Sequence, residues 1–234
     1  MFNLRTLGKA SLIAGFSMLA LAAGCIAVPD DSTSDVKTIK IGIIGPMTGG
    51  AAEIGAIGQK TAKLVTKQIN AAGGIMGKQV ENIIEDGQCD GTPAATAVQK
   101  LINTDKVHVL MGGVCSGETL GLAPFAEQAK VPVIAWGASA TKISQAGDFI
   151  FRTYPSDAGK GKVLAEIAAN QGFKKVGVIA EQTDYALGLK DAFESEFKTK
   201  GGEAVVEIYT SDSSDVRTQL VKLKEAKVEA LLVN

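Results

Sequence analysis

Apolar and polar positions along this chain follow two periods in turn. Residues 40–44 form a short β-rich run that stops at Gly45-Pro46. Over 52–71, Ile54, Ile57, Ala62, Leu64, Val65 and Ile69 recur near the helical period, and Gly73-Gly74 closes the helix. The same reading predicts a strand over 80–85 and a helix opened by Thr92-Pro93, with Pro at its first position, running to Asn103. A strand over 107–111 ends at Gly112-Gly113; a helix over 118–129, a strand over 132–135 and an extended run over 149–152 follow.

The pattern then restarts, with helices over 158–171, 185–200 and 216–224 and strands over 175–180, 203–209 and 230–233. Repeated βα alternation with short loops implies an α/β fold with a doubly wound, mostly parallel sheet. Two such runs joined near 152–156 give two α/β lobes, 38–152 and 153–234. The chain stops at Asn234, on the last apolar residues of EALLVN. A parallel strand needs cover on both faces, so the expectation is a truncated chain with an incomplete second lobe.

Residues 1–24 read as a targeting segment. Arg5 and Lys9 give it a positive start, and the run from Ala10 to Ala23 is uncharged. That run is too short for a comfortable membrane span and right for a signal-peptide core. It ends in LAAGC, which is similar to the lipobox of bacterial lipoproteins and marks Cys25 as a lipidated N-terminus, although Ala22 stands where Leu, Val or Ile is the better fit. The plainer alternative is an ordinary signal peptide with an incidental cysteine. Residues 25–37 become polar and aperiodic and read as a flexible tether. The protein is thus expected to be exported, to the periplasm or the outer face of the cytoplasmic membrane, held by a lipid anchor through Cys25.

Composition narrows the function. The chain has 234 residues, 46% hydrophobic and 21% charged, enough for a packed core. Lys plus Arg is 24 against 25 for Asp plus Glu, which disfavours a nucleic-acid partner bound through phosphates. The one histidine, His108, lies in the apolar run VHVLM and reads as a strand residue, so a His-rich metal site is not expected. The acidic groups in EDGQCD and DSSD match no EF-hand loop and read as turn residues; no metal and no cofactor is expected. With Cys25 assigned to lipid, Cys89 and Cys115 remain. An oxidising compartment permits a disulfide, worth about 3–4 kcal/mol for a loop of this length, and two buried thiols are the alternative.

The candidate chemistry is binding. The turn IGIIGPMTGG lacks the dinucleotide and P-loop spacings and reads as a ligand-facing turn. Ser116 in GGVCSGET and Ser139 in VIAWGASAT hold matched places, each after a strand and before a helix. Open α/β sheets bind ligands at those carboxyl ends, where a hydroxyl and free backbone N–H groups make a carboxylate cradle. Each serine could instead merely cap its helix. Trp136 is core or the wall of an apolar pocket. No GxSxG motif is present, so hydrolase chemistry fits poorly and no enzyme is expected.

The segments IKIGIIGPMTGG, QINAAGGIMGKQV, EDGQCD, GGVCSGETLGLAP, DFIFRTYPSDAGKGK and EQTDYALGLKDAF together resemble the branched-chain amino-acid binding proteins, type 1 periplasmic solute-binding proteins of ABC importers. The resemblance covers residues 38–234. It implies two Rossmann-like lobes that close on a small amino-acid ligand by a hinge motion and deliver it to permease subunits. It also implies a Cys89–Cys115 disulfide and Ser116 on the ligand carboxylate. Gly137, Ala138 and Ser139 would contact carboxylate and ammonium, with Tyr185 at the ammonium. Two positions depart from the leucine-type pattern, Ile54 for a tyrosine and Trp136 for a proline, and both bear on side-chain preference. Ser139 replaces a threonine and keeps the hydroxyl. Family members continue well past Asn234, and the acidic residue that pairs with the ammonium is expected beyond it. A ligand-sensing domain for amides, urea or amino acids, and a nonfunctional fragment, are the competing readings.

Overall fold

The computed structural model describes residues 37–234. The signal segment, Cys25 and the tether up to residue 36 lie outside the described residues. The order is β1 (Thr38–Gly45), α1 (Ala52–Ala71), β2 (Gln79–Asp86), α2 (Gly91–Asn103), β3 (Val109–Met111), α3 (Ser116–Ala129), β4 (Val133–Ala135), a short 3₁₀ turn (Thr141–Gln145) and β5 (Ile150–Arg152). Then come α4 (Asp157–Asn170), β6 (Lys175–Glu181), α5 (Asp184–Thr199), β7 (Glu203–Tyr209), α6 (Arg217–Glu225) and β8 (Ala230–Val233).

Among the described residues every pair of these strands is parallel. The first sheet has five strands in the order β2-β1-β3-β4-β5 and the second has three, β7-β6-β8. In both, the strand that comes first in the chain lies inside the sheet and later strands add on either side of it. That reversal opens a crevice at the carboxyl ends of β1 and β3, and of β6. The connection 153–156 carries the chain from one sheet to the other.

Each sheet has its own core. In the first, Leu101 of α2, Leu110 of β3, Leu122 of α3 and Val133 of β4 are fully covered. Gly42 in β1 allows this packing, because a Cβ there would lie 2.8 Å from Leu110 and 3.0 Å from Leu101. In the second, Phe193 and Phe197 of α5 stack at 5.2 Å against Val178 of β6 and Ala165 of α4. The α4–α5 contact is close because Gly161 has no side chain; a Cβ there would lie 2.5 Å from that of Ala192. Among the described residues no helix is long and apolar enough to cross a membrane.

Three local expectations need correction. Helix α2 begins at Gly91, and Asp90 caps it by accepting from the Thr92 N–H at 2.8 Å, so Pro93 is not the first helical residue. The carboxylate cap is the stronger signal, because it satisfies an orphan donor that Pro merely lacks. His108 is not in a strand. It is exposed, one residue before β3, and its Nδ1 accepts from the Lys40 N–H at 3.1 Å. Helix α3 starts at Ser116, two residues earlier than the periodicity indicates, because its first turn is buried on polar groups that break the apolar pattern.

Candidate functional site

The carboxyl ends of β1, β3 and β4 carry three turns, and polar contacts fix each of them. The glycine-rich turn after β1 is held by Asp86 at the end of β2. Its carboxylate accepts from the N–H groups of Met47 and Gln88, at 2.8 and 2.9 Å, and from the hydroxyl of Thr48. Burial pushes the Asp86 carboxyl up, but these donors outweigh it and hold the group below its ordinary value. Of the acidic residues in EDGQCD, Asp86 and Asp90 accept from backbone N–H groups and Glu85 pairs with Lys100 at 2.6 Å.

The turn after β3 is braced against the loop after β2. The structure joins Cys89 to Cys115 as a disulfide, with Cα atoms 5.1 Å apart. Beneath it lies Glu118, fully buried, which the sequence reading did not single out. Its Oε1 accepts from the Cys89 N–H at 3.0 Å, and its Oε2 from those of Val114 and Cys115 at 2.9 and 3.1 Å. Gln88 and Cys89 both hold left-handed backbone, at φ of 51° and 59°. Such residues cost about 1–2 kcal/mol each, and the disulfide, Glu118 and Asp86 supply the restraint. Burial drives the Glu118 carboxyl above its ordinary value, with the Asp86 charge adding to the effect, although its three N–H donors oppose the shift.

Ser116 opens α3, and Ser139 lies in the loop after β4. Neither caps its own helix. The Ser116 Oγ accepts from the N–H groups of Ser139 and Ala140, at 3.3 and 3.1 Å. The Ser139 Oγ donates to Asp157 Oδ2 at 2.8 Å, and the Asp157 N–H donates back to the Ser139 carbonyl at 2.9 Å. Both serines and Asp157 are buried. Asp157 opens α4, so this pair of bonds ties the loop of the first sheet to the first helix of the second. Arg152 at the end of β5 pins the same loop from below, donating to the carbonyls of Ser139 and Ala140 at 3.3 and 2.9 Å.

Lys160, one turn along α4, stands 2.8 Å from Asp157 Oδ1, which makes no other bond among the described residues. Its ammonium also donates to the Tyr185 hydroxyl at 3.3 Å and lies 5.0 Å from the ring centre. Burial works against this charge, yet Asp157 and Tyr185 outweigh it and raise the lysine above its ordinary value. Tyr185 lies in the first turn of α5 and is 39% exposed.

Ser116, Ser139 and Tyr185 are thus brought together through Asp157 and Lys160. Ala138 is buried, and Gly137 lies so close to Val114 that a Cβ would be 2.8 Å from the Val114 carbonyl oxygen. Trp136 is half-buried with its ring over Gly58 of α1, where a Cβ would meet it at 2.7 Å. Ile54 lies one turn before Gly58 on the same side of α1 and is 48% exposed. Asp157, Lys160, Arg152 and Glu118 escaped the sequence reading. Ser156-Asp157 looks like an ordinary helix start, a cap followed by an acidic residue. The spacing Cys115 to Glu118 has the form of a capping box with Cys in the place of Ser, a signal that could have marked Glu118.

The leucine-, isoleucine-, valine-, threonine- and alanine-binding protein of Pseudomonas aeruginosa is 32% identical over 97% of this chain and 58% of its own length. A branched-chain amino acid transporter substrate-binding protein of Streptococcus pneumoniae, solved with isoleucine, superposes with a TM-score of 0.72 at 32% identity, over 84% of this chain and 57% of that one. An ABC transporter solute-binding protein of Rhodopseudomonas palustris, solved with 3,4-dihydroxybenzoic acid, gives 0.73 at 32% identity, over 85% and 54%. The chain therefore spans somewhat over half the length of the relatives it matches. The family model described as periplasmic binding protein matches residues 38–234, the whole of the described α/β body, and the chain belongs to that family.

Proposed function

We propose that this chain is the ligand-capturing part of an exported solute-binding protein that serves an ABC importer, with a neutral amino acid as ligand. The observation that carries the reading is the buried Ser116–Ser139 loop at the carboxyl ends of two parallel strands; a helix start that carries a hydroxyl there suits a ligand carboxylate. The LAAGC run supports export and attachment through Cys25. Relatives that carry the names of branched-chain amino-acid binders support the ligand class.

The mechanism is reversible capture without turnover. The ligand carboxylate takes the Ser116 proton and the N–H groups of Gly137 and Ala138, since those of Ser139 and Ala140 already donate to the Ser116 Oγ. The ammonium lies on the side of Tyr185, and the side chain runs toward Trp136 and Ile54. Burying both charges is costly unless each finds such partners, so specificity falls on the free α-carboxyl and α-amino groups. Lobe closure about 153–156 then reports occupancy to the permease.

A second reading, an aromatic carboxylate as ligand, draws support from the half-buried Trp136 and from the dihydroxybenzoate bound by the Rhodopseudomonas relative. Calorimetric titration of the purified protein with neutral amino acids and with benzoates separates the two. Ser116→Ala and Tyr185→Ala should each weaken amino-acid binding by roughly tenfold, the worth of one hydrogen bond to a charged group. Unchanged affinity in both variants overturns the site.

A further inference from the structure

The two hydroxyls of the ligand loop have opposite hydrogen-bonding capacity. A serine hydroxyl offers one proton and two lone pairs. At Ser116 the lone pairs receive the N–H groups of Ser139 and Ala140, so what remains is the proton. At Ser139 the proton is given to Asp157 Oδ2, so what remains is the lone pairs. Asp157 is wholly buried and its other oxygen faces the Lys160 ammonium, so the carboxylate only accepts. The Ser139 carbonyl does not take over as acceptor, because the Asp157 N–H and the Arg152 guanidinium already donate to it.

We propose that Asp157, held by Lys160, is a positioning residue that fixes Ser139 as an acceptor toward the ligand while Ser116 remains a donor. The pair then admits a ligand that presents an acceptor and a donor side by side, as the carboxylate and ammonium of an α-amino acid do, and discriminates against a simple carboxylate. This rests on the Ser116–Ser139 loop being the ligand site. It assigns the Ser139 hydroxyl, within a segment that the resemblance places at both carboxylate and ammonium, to the ammonium, and it gives Lys160 a role outside the binding contacts.

The test uses L-leucine and 4-methylpentanoate, which share side chain and carboxylate and differ in the ammonium. The intact wild-type chain should prefer L-leucine by roughly a hundredfold or more, since a buried acceptor left unpaired penalises the deaminated ligand. In Asp157→Asn, Lys160 claims the amide oxygen and the amide NH₂ then donates to the Ser139 Oγ. The Ser139 proton swings toward the ligand, and the preference should fall by about tenfold or more, mainly through weaker leucine binding. Adding Lys160→Met removes the competing donor, returns the amide oxygen to Ser139 and should restore the preference. A merely structural role would weaken both ligands alike and would not be rescued by a second truncation.

Asparagine matches aspartate in shape, so folding should survive, and Ser139→Ala gives an independent check by weakening leucine alone. Proportional loss of both ligands in Asp157→Asn, or equal affinity of the wild type for the two, overturns the polarity assignment. A wild-type chain that binds neither overturns the ligand-site reading beneath it, and the assignment with it.

Discussion

At the scale of single residues, the polar groups with the greatest leverage are those that lie under the ligand loop. Glu118 is the clearest case. Its carboxyl is raised above its ordinary value of 4.5 chiefly by burial, while three backbone N–H groups depend on it. A carboxyl with a raised folded value binds its proton more tightly in the folded state than in the unfolded one. Its contribution to stability is therefore largest below 4.5 and is lost as pH rises through the higher folded value. Glu118→Gln should cost about 1–3 kcal/mol, because one N–H then faces an amide NH₂. Urea unfolding from about pH 4 to about pH 8 should show that cost shrinking as pH rises, and a cost that grows with pH would contradict the assignment. Ser116 and Ser139 were legible in the sequence because matched hydroxyls at strand ends have a known use in open sheets. Glu118 and Asp157 were not. Their chemistry comes from burial and from partners far along the chain, Cys89 and Ser139, which no local spacing reveals.

At the scale of elements, the helices were legible to within a turn because their apolar period is strong, but the reason two of them approach closely is a single missing methyl. Helix α4 carries two glycines, two positions apart, in opposite surroundings. At Gly159 a Cβ would meet nothing within 4 Å, whereas at Gly161 it would lie 2.5 Å from the Cβ and 2.7 Å from the carbonyl carbon of Ala192. Helix propensity alone favours alanine at both. Gly159→Ala should therefore stabilise the fold by roughly 0.5 kcal/mol, since it removes backbone freedom from the unfolded chain. Gly161→Ala should destabilise it by about 1–3 kcal/mol, because the contact is with backbone that must shift. Denaturant melts of the two variants should move in opposite directions. A shift of the same sign in both would mean that α4 and α5 do not meet at Gly161. The sequence pattern reads the two glycines alike; only the packing separates them.

At the scale of the whole molecule, the alternation of strands and helices was enough to read two parallel α/β sheets, yet it does not say how fully each face is covered. The second sheet shows the difference. Its inner face packs on Phe193 and Phe197, with Leu232 of β8 against that cluster. On the other face, Leu223 of α6 is buried near Gly177, but α6 has only nine residues, and Leu231 and Val233 of the edge strand β8 remain 49% and 70% exposed. Val221 of α6 and Ile208 of the opposite edge strand β7 are exposed as well. Alternate residues of a strand face opposite sides of the sheet, so Leu232 enters the Phe193 cluster while Leu231 packs on Gly177 beneath Leu223. Leu232→Lys places a charge in that cluster and should lower the thermal midpoint by about ten degrees or more or unfold this half, whereas Leu232→Ile keeps the volume and should cost less than about 1.5 kcal/mol. Thermal melts of the two variants check this, and a Leu232→Lys melt no lower than that of Leu232→Ile would mean that β8 does not present Leu232 to the Phe193 cluster.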